Sequence, residues 1–469
     1  MNLTRRRLLA TFMTAGAAAS LPRTVRAQTS AAGVSAGKTS SSLPAELKAG
    51  DSTHRLAPDQ PPLRLWTYND SFPGPVLRVR QGEEIALRLK NDLPQPTSIH
   101  WAGARIANAA DGVAGLTQDA VAPGATQDIA FTPREAGTIL YRPMIPDHAA
   151  EQVERGLHGV LIVDEDESPY ADDFVLVLDD IALDGDGQVR DDFNVANNGA
   201  GRLGNRLLMN GATGPETLTR PPGHRLRIRL VNSANARPLT LGFDNLAVHI
   251  IAADSQPVDD PFPPSQDRLT LAPGNRVDIV VTTPPRGATG AIIAQLGDGL
   301  PLLKLTGSEA PAVDVPDRVT PLAANPLLPS AIDLAAARRF DIRISGGADA
   351  GAQDLAGGET ASRLWQLGGV SWPDASERPL FSVPRNTPVV LSLENTTAVL
   401  QVLHLHGHHA RQLHGLDDGW EPYWLDTIPV RAGQTVRIAF LADNPGRWMI
   451  GSAILDRLGT GLAGWFEVS

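Results

Sequence analysis

One pattern occurs three times along the chain, and this repetition constrains the fold more than any other feature. Residues 81–91, 222–232 and 389–395 each alternate apolar and polar side chains, as Ile85, Leu87 and Leu89 do in the first copy. Strict alternation over six or more residues is typical of a strand with one buried face. The chain therefore repeats a β-rich unit.

A second, shorter pattern follows each copy of the first. Ala-Pro-Gly occurs at 122–124 and at 272–274, Arg-Ala-Gly occurs at 431–433, and an alternating apolar stretch follows each of them. Because the two patterns keep similar spacing, they predict one β-fold present three times. A length of 469 residues also suits about three domains at roughly 150 residues each. The 44 glycines and 38 prolines indicate the many turns of an all-β protein.

The repeats place the domain boundaries. We expect domain 1 over residues 51–165, domain 2 over 166–305 and domain 3 over 339–469. The intervening residues 306–338 contain five prolines and are predicted to form a stiff, extended linker.

The first 27 residues are predicted to be a signal peptide. Three arginines at 5–7 precede an apolar run at 8–21 that is too short to span a bilayer, and Val25-Arg26-Ala27 resembles a cleavage site. Twin arginines in this position are typical of the pathway that exports folded proteins to the periplasm. Residues 28–50 are rich in Ser, Ala and Gly and are predicted to be disordered. After signal cleavage, no segment is predicted to be transmembrane.

Charge and cysteine content exclude several classes of function. The formal net charge of −11 argues against nucleic acid or anionic lipid as a partner, since both require clustered Lys and Arg. The chain has no cysteine, which excludes disulfides, a thiol nucleophile and a thiolate-bound metal.

Specific motifs resemble the multicopper oxidase family. They are found at residues 66–69, 72–75, 99–101, 111–112, 116–118, 209–211, 271–274, 404–408 and 443–448. The resemblance covers residues 60–469. It implies an all-β protein of three cupredoxin-like Greek-key β-sandwich domains.

The resemblance also implies that the type 1 copper site has been lost. Members of the family hold this copper with two His and a Cys thiolate, usually with a weak axial Met. The resemblance places these four roles on Gln401, Ser452, Arg457 and Leu462. None of these side chains can replace the ligand that the role requires.

Most ligands of the family's trinuclear copper cluster are missing as well. The family uses four His-x-His pairs, and the resemblance places them at 100–102, 142–144, 404–406 and 451–453. Only His100, His404 and His406 remain of the eight histidines, and Arg142 puts a fixed cation at a former ligand position. We therefore predict no oxidase chemistry and assign no catalytic residue.

Two interpretations of His100, His404 and His406 stay open. In the first, they are vestigial and hydrogen-bonded between domains 1 and 3, and the protein needs no cofactor. In the second, they hold one weakly bound Cu or Zn at the former type 2 copper position.

The resemblance implies a copper-free member of the family that supports cell division. Such a protein would be a non-catalytic periplasmic binding or scaffold protein acting in cell division or in envelope integrity under stress. Its partner would be a periplasmic or envelope protein, with the divisome as one candidate. The alternative is a residual metalloenzyme or a periplasmic metal-binding protein with a mononuclear Cu/Zn site. Fold alone does not decide between these functions.

Overall fold

The computed structural model describes residues 43–193, 200–347, 364–373, 377–414 and 419–469. Nearly all regular structure in these ranges is β-strand, arranged in three successive pairs of sheets. This architecture confirms the predicted all-β class and the three cupredoxin-like β-sandwich domains. The predicted signal peptide at 1–27, and residues 28–42 of the segment predicted to be disordered, lie outside the described residues.

Domain 1 is a sandwich of two four-stranded sheets. Its elements are β1 (Glu46–His54), β2 (Leu63–Tyr68), β3 (Leu77–Arg80), β4 (Ile85–Asn91), β5 (His100–Ala102), β6 (Thr126–Phe131), β7 (Gly137–Arg142), α1 (Ala149–Glu154) and β8 (Gly159–Asp164). The strand orders are β2-β1-β4-β6 and β3-β8-β7-β5. The apolar side chains of both sheets, such as Leu87 and Trp101, form one buried core.

Domain 2 packs a six-stranded sheet on a five-stranded one. Its strands are β9 (Asp173–Ile181), β10 (Arg206–Met209), β11 (Glu216–Arg220), β12 (Arg225–Asn232), β13 (Leu239–Asp244), β14 (Ala247–Ala253), β15 (Gln256–Phe262), β16 (Arg268–Leu271), β17 (Arg276–Thr282), β18 (Thr289–Ala294) and β19 (Leu300–Gly307). The strand orders are β10-β9-β12-β17-β14-β15 and β11-β19-β18-β13-β16.

Domain 3 repeats the sheet sizes of domain 2. Its elements are β20 (Arg338–Gly346), β21 (Trp365–Leu367), β22 (Phe381–Val383), β23 (Thr387–Asn395), β24 (Gln401–Leu405), β25 (Ala410–Leu413), β26 (Trp420–Leu425), β27 (Thr427–Val430), β28 (Thr435–Ala442), β29 (Gly446–Ser452), α2 (Leu455–Gly459) and β30 (Ala463–Val468). The strand orders are β21-β20-β23-β28-β25-β26 and β22-β30-β29-β24-β27.

The sequence repeats correspond to neighbouring strands in each domain. The first pattern forms β4, β12 and β23, and the second leads into β6, β17 and β28. In every domain the two strands pair antiparallel. The first strand of each domain, β1, β9 or β20, pairs in parallel with the other edge of the first repeat.

A buried asparagine ends the first repeat in each domain and makes the same hydrogen bonds three times. The side-chain amides of Asn91, Asn232 and Asn395 each donate to two backbone carbonyls. Each Oδ1 accepts from the backbone N–H two residues later. These bonds satisfy buried backbone groups where the chain leaves the sheet, which explains why asparagine recurs at this position.

The predicted boundary at residue 51 is wrong, because β1 already begins at Glu46. Leu47 and Ala49 point into the core of domain 1 and are fully buried. The pairing of β1 with β4 therefore orders residues that were predicted to be disordered from their composition.

The predicted linker lies between the end of β19 and the beginning of β20. No strand or helix forms between Gly307 and Arg338, a stretch that the structure describes in full. Val319, Leu322 and Ile332 are buried, so the linker packs along the domains. Among the described residues, no helix has the length and apolar character needed to cross a membrane.

Candidate functional site

Three histidines from two domains meet in the interior. His100 is the first residue of β5 in domain 1, His404 lies in β24 of domain 3, and His406 directly follows that strand. All three imidazoles are buried, and one nitrogen of each lies within 4.8 Å of the others. The structure thus brings together the three residues that the sequence analysis singled out.

Each imidazole is oriented by a contact at Nδ1. His100 Nδ1 lies 2.7 Å from the backbone oxygen of Asp111, and His404 Nδ1 lies 3.1 Å from the backbone oxygen of Asp426. A carbonyl oxygen only accepts hydrogen bonds, so Nδ1 carries the proton in both rings. His406 Nδ1 lies 3.0 Å from Asp111 Oδ2. Burial opposes ionisation of Asp111, but the His406 and His100 imidazoles outweigh it and hold the pKa of this carboxyl well below its usual range. His406 therefore donates from Nδ1 to a carboxylate.

The Nε2 atoms of all three rings are consequently left with lone pairs. His100 Nε2 and His404 Nε2 are 3.0 Å apart, and neither can donate to the other when both Nδ1 atoms carry the proton. His406 Nε2 is buried without a hydrogen-bond partner among the described residues. Two lone pairs at this distance repel unless a cation, either a proton or a metal ion, lies between them.

Protonation of His404 or His406 is unfavourable at neutral pH. Burial, followed by the neighbouring His406 imidazole, lowers the pKa of His404 to about 3. Burial, followed by the neighbouring His100, lowers the pKa of His406 to about 4. The oxygen partners thus hold each of the three imidazoles with Nδ1 turned towards an oxygen, which is how proteins orient histidine metal ligands.

Charged residues of domain 2 contact the residues that orient His404. Arg276 of β17 is fully buried and donates from both Nη atoms to the carboxylate of Asp426, with Nη1 to Oδ1 at 2.9 Å. Asp254 Oδ2 accepts from the backbone N–H of Thr427 at 3.0 Å. Burial and the neighbouring Asp426 raise the pKa of Asp254 above its usual range. The orientation of His404 thus depends on residues of domain 2 as well as of domain 3.

Arg142 is a buried cation next to the three histidines. It pairs with His100 in the register of β5 and β7, and its Nη2 lies 3.5 Å from the point where a Cβ on Gly274 would stand. Within the part of the chain that the structure describes, its Nε and Nη1 atoms have no hydrogen-bond partner. Burial lowers the pKa of Arg142 to about 10, and the nearby Arg276 also lowers it, so the guanidinium stays charged at neutral pH.

The four positions that the resemblance assigns to the type 1 copper form a different kind of group. Arg457 Nη1 donates to Gln401 Oε1 at 2.7 Å and to the backbone oxygen of Leu400. Ser452 and Leu462 are buried beside this pair along the chain's last strands. A guanidinium and an amide engaged with each other present no thiolate and no imidazole, so these residues do not fit a type 1 copper.

The other histidines of the 404–409 segment have packing roles. His408 lies edge-on to the rings of Trp448 and Phe440, with centroids 5.7 and 5.3 Å away. His409 Nε2 is 2.9 Å from the backbone oxygen of Asp254.

Sequence analysis assigned no role to Asp111, Asp426 or Arg276, although these residues set the tautomers and charge of the site. Asp111 belongs to a motif shared with the family and follows His100 closely in the sequence. This position was the available sequence signal for a role of Asp111 at the site. Asp426 and Arg276 come from different domains and meet only through tertiary structure.

Comparison with known proteins assigns most of the chain to one family. Three sequence models described as multicopper oxidase match residues 52–168, 172–297 and 349–469. One match falls in each of the three domains.

Individual proteins agree with these models. The chain is 27% identical over 419 residues to the multicopper oxidase MmcO of Mycobacterium tuberculosis, a match that covers 82% of this chain and 79% of that protein. It is 30% identical over 332 residues to the cell division protein FtsP of Sodalis glossinidius, which covers 68% of this chain and 65% of that protein. The crystal structure of a multicopper oxidase from Pseudomonas thermotolerans superposes with a TM-score of 0.79 at 29% identity, over 90% of this chain and 98% of that one.

Proposed function

The chain belongs to the multicopper oxidase family, and from this premise we propose that it is a non-catalytic member that acts as a binding or scaffold protein. Oxidases of this family need a type 1 copper held by imidazole and thiolate to take up electrons. The observation that carries the proposal is the hydrogen bond from Arg457 to Gln401 at two of the four positions assigned to that copper. A cation bound within the donor set opposes a second cation at the same place.

The likeness to FtsP supports a role in cell division. We propose that the protein is exported to the periplasm by the twin-arginine signal at 1–27. There it would bind a periplasmic or envelope protein, with a divisome component as a candidate, and support division or envelope integrity under stress.

Two measurements test this proposal. After incubation with copper and removal of the excess, the purified protein should oxidise phenols no faster than the buffer control. In cells that lack the gene and show a division defect under envelope stress, the wild-type gene and the His404→Ala variant should both restore division. Copper-dependent turnover, or rescue that requires His404, would refute a non-catalytic role.

A second candidate function is metal binding at His100, His404 and His406. The close approach of the three rings supports it, because one nitrogen of each lies within 4.8 Å of the others and imidazole ligands with oxygen partners suit a single Zn²⁺ or Cu²⁺ ion. The Arg142 cation and the missing ligands do not suit a cluster of three coppers. Calorimetric titration with Zn²⁺ or Cu²⁺ tests this candidate: one ion per chain, lost in His404→Ala, supports it, and no binding removes it.

A further inference from the structure

A cleft between domains 1 and 3 lies apart from the three histidines. Its volume is about 540 Å³, within the range typical of ligand sites. Residues 105–107 and the segment from 130 to 135 line it from domain 1, and Arg385 and residues 443–445 line it from domain 3. Leu327 of the linker completes the wall.

A buried arginine forms part of the wall of the cleft. The Arg105 side chain is 9% exposed and pairs with Glu135 at 2.8 Å and with Asp443 at 2.5 Å. Its Nε atom is buried and has no hydrogen-bond partner among the described residues. Arg105 therefore engages both carboxylates of the cleft and keeps one unsatisfied donor.

Two further arginines stand at the rim. Arg134 and Arg385 are exposed, and neither forms an ion pair with a carboxylate of the residues that the structure describes. Arg385 Nε donates to the backbone oxygen of Asp443 at 2.9 Å. This hydrogen bond holds the Nε end of the Arg385 guanidinium in place. The cleft thus gathers three guanidiniums against two carboxylates, on a chain whose net charge is −11. An excess of positive charge in a cleft on an acidic protein favours an anionic ligand.

The wall of the cleft contains apolar side chains as well as charged ones. Ala107, Leu441 and Pro445 line the cleft together with the arginines. An inorganic anion would leave these apolar groups unused, and an occupant with both a carboxylate and an apolar body would contact both kinds of surface. Arginine suits carboxylates because its planar donors form paired hydrogen bonds.

We propose that this cleft binds an acidic, partly apolar peptide segment of a partner protein. A carboxylate of the peptide pairs with Arg134 and Arg385, and an adjacent apolar side chain packs on Leu441 and Pro445. The inference rests on the proposed binding function and names the chemistry of the partner.

The test uses fluorescence anisotropy with a fluorescein-labelled hexapeptide of alternating leucine and glutamate. The double variant Arg134→Glu/Arg385→Glu reverses the rim charges. Its matched control, Arg206→Glu/Arg268→Glu, makes the same change of net charge on exposed arginines of domain 2. Thermal unfolding verifies that both variants are folded.

We expect saturable binding by the wild type and the control, and binding weaker by at least about tenfold in the rim variant. Added NaCl should weaken the binding because the rim charges are exposed. The proposal would be overturned by equal affinity in the rim variant or by no saturable binding to the wild type. It would also be overturned if a labelled hexapeptide of alternating leucine and lysine bound equally well, or if inorganic phosphate displaced the peptide at similar concentration. The failure of this inference and the failure of the proposed function are distinguishable, since copper-dependent turnover would refute the non-catalytic role without changing peptide binding.

Discussion

Replacing Glu154 by glutamine should remove a large part of the pH dependence of stability between pH 4.5 and pH 7. Glu154 ends α1 and is buried where domain 1 meets domain 2. Its carboxyl accepts hydrogen bonds from the backbone N–H of Ala182 at 2.7 Å and from Asn235 Nδ2 at 2.9 Å. Burial raises the pKa of Glu154 to about 7, although the nearby Arg202 acts in the opposite direction.

The size of the effect follows from the two protonation states. In the unfolded chain Glu154 loses its proton near its ordinary value of 4.5, whereas the folded protein retains the proton up to about pH 7. Between these values the folded state binds more protons, so the free energy of unfolding falls as the pH rises. The difference in pKa corresponds to a loss of about 3 kcal/mol, complete above pH 7 and absent below pH 4.5.

Urea unfolding of the wild type and of Glu154→Gln at several pH values between 4.5 and 8 measures this loss. All other titrating groups are common to both proteins, so the difference between the two stability curves isolates Glu154. We expect the variant to gain about 3 kcal/mol relative to the wild type between pH 4.5 and pH 8. If the free energies of unfolding of the two proteins change with pH in parallel, the pKa of Glu154 is the same in the folded and the unfolded chain, and the reasoning is refuted.

Three further substitutions test the packing around the site. Arg276→Met leaves the Asp426 carboxylate buried without its main partner, so the free energy of urea unfolding should fall by about 3–5 kcal/mol; a change below 1 kcal/mol would contradict the assignment of this pair. Arg142→His removes a buried charge and adds an imidazole, and calorimetric Zn²⁺ affinity should increase by at least about tenfold, whereas unchanged affinity would show that the guanidinium does not oppose the metal. Asn232→Ala removes two donors and one acceptor from buried backbone groups and should destabilise the protein by about 2–4 kcal/mol in the same urea assay; a loss within error would mean that water replaces them.

The threefold β-rich repeat could be predicted because its signal is local and repeated, and the resemblance to the family implied the sandwich architecture. Each copy of the alternating pattern is a complete strand, and the asparagine at its end makes its hydrogen bonds within the same domain. Strand β1 was missed because only Leu47 and Ala49 mark its buried face, in a segment otherwise rich in small and polar residues. Such a strand becomes recognisable only through its partner, β4.

The site could be predicted only in part, for a related reason. His100, His404 and His406 belong to motifs shared with the family, so their convergence followed from the resemblance. The state of their nitrogens did not, because it depends on how close the backbone oxygens of Asp111 and Asp426 come to the rings in the folded chain. Arg142 was recognised as a cation, but its lack of hydrogen-bond partners is a property of the packed interior.

The hydrogen bond between Arg457 and Gln401 has a consequence for the history of this lineage. A histidine at position 401 would take away the amide oxygen that holds a buried guanidinium, and a cysteine at 452 alone would gain no second metal ligand. Each of these substitutions, made alone, would therefore lower the stability of the protein or leave it without a complete copper site. Under the proposed non-catalytic role, selection acting one substitution at a time would therefore not favour the steps towards a type 1 copper site, and the pair of Arg457 and Gln401 would act as an evolutionary ratchet.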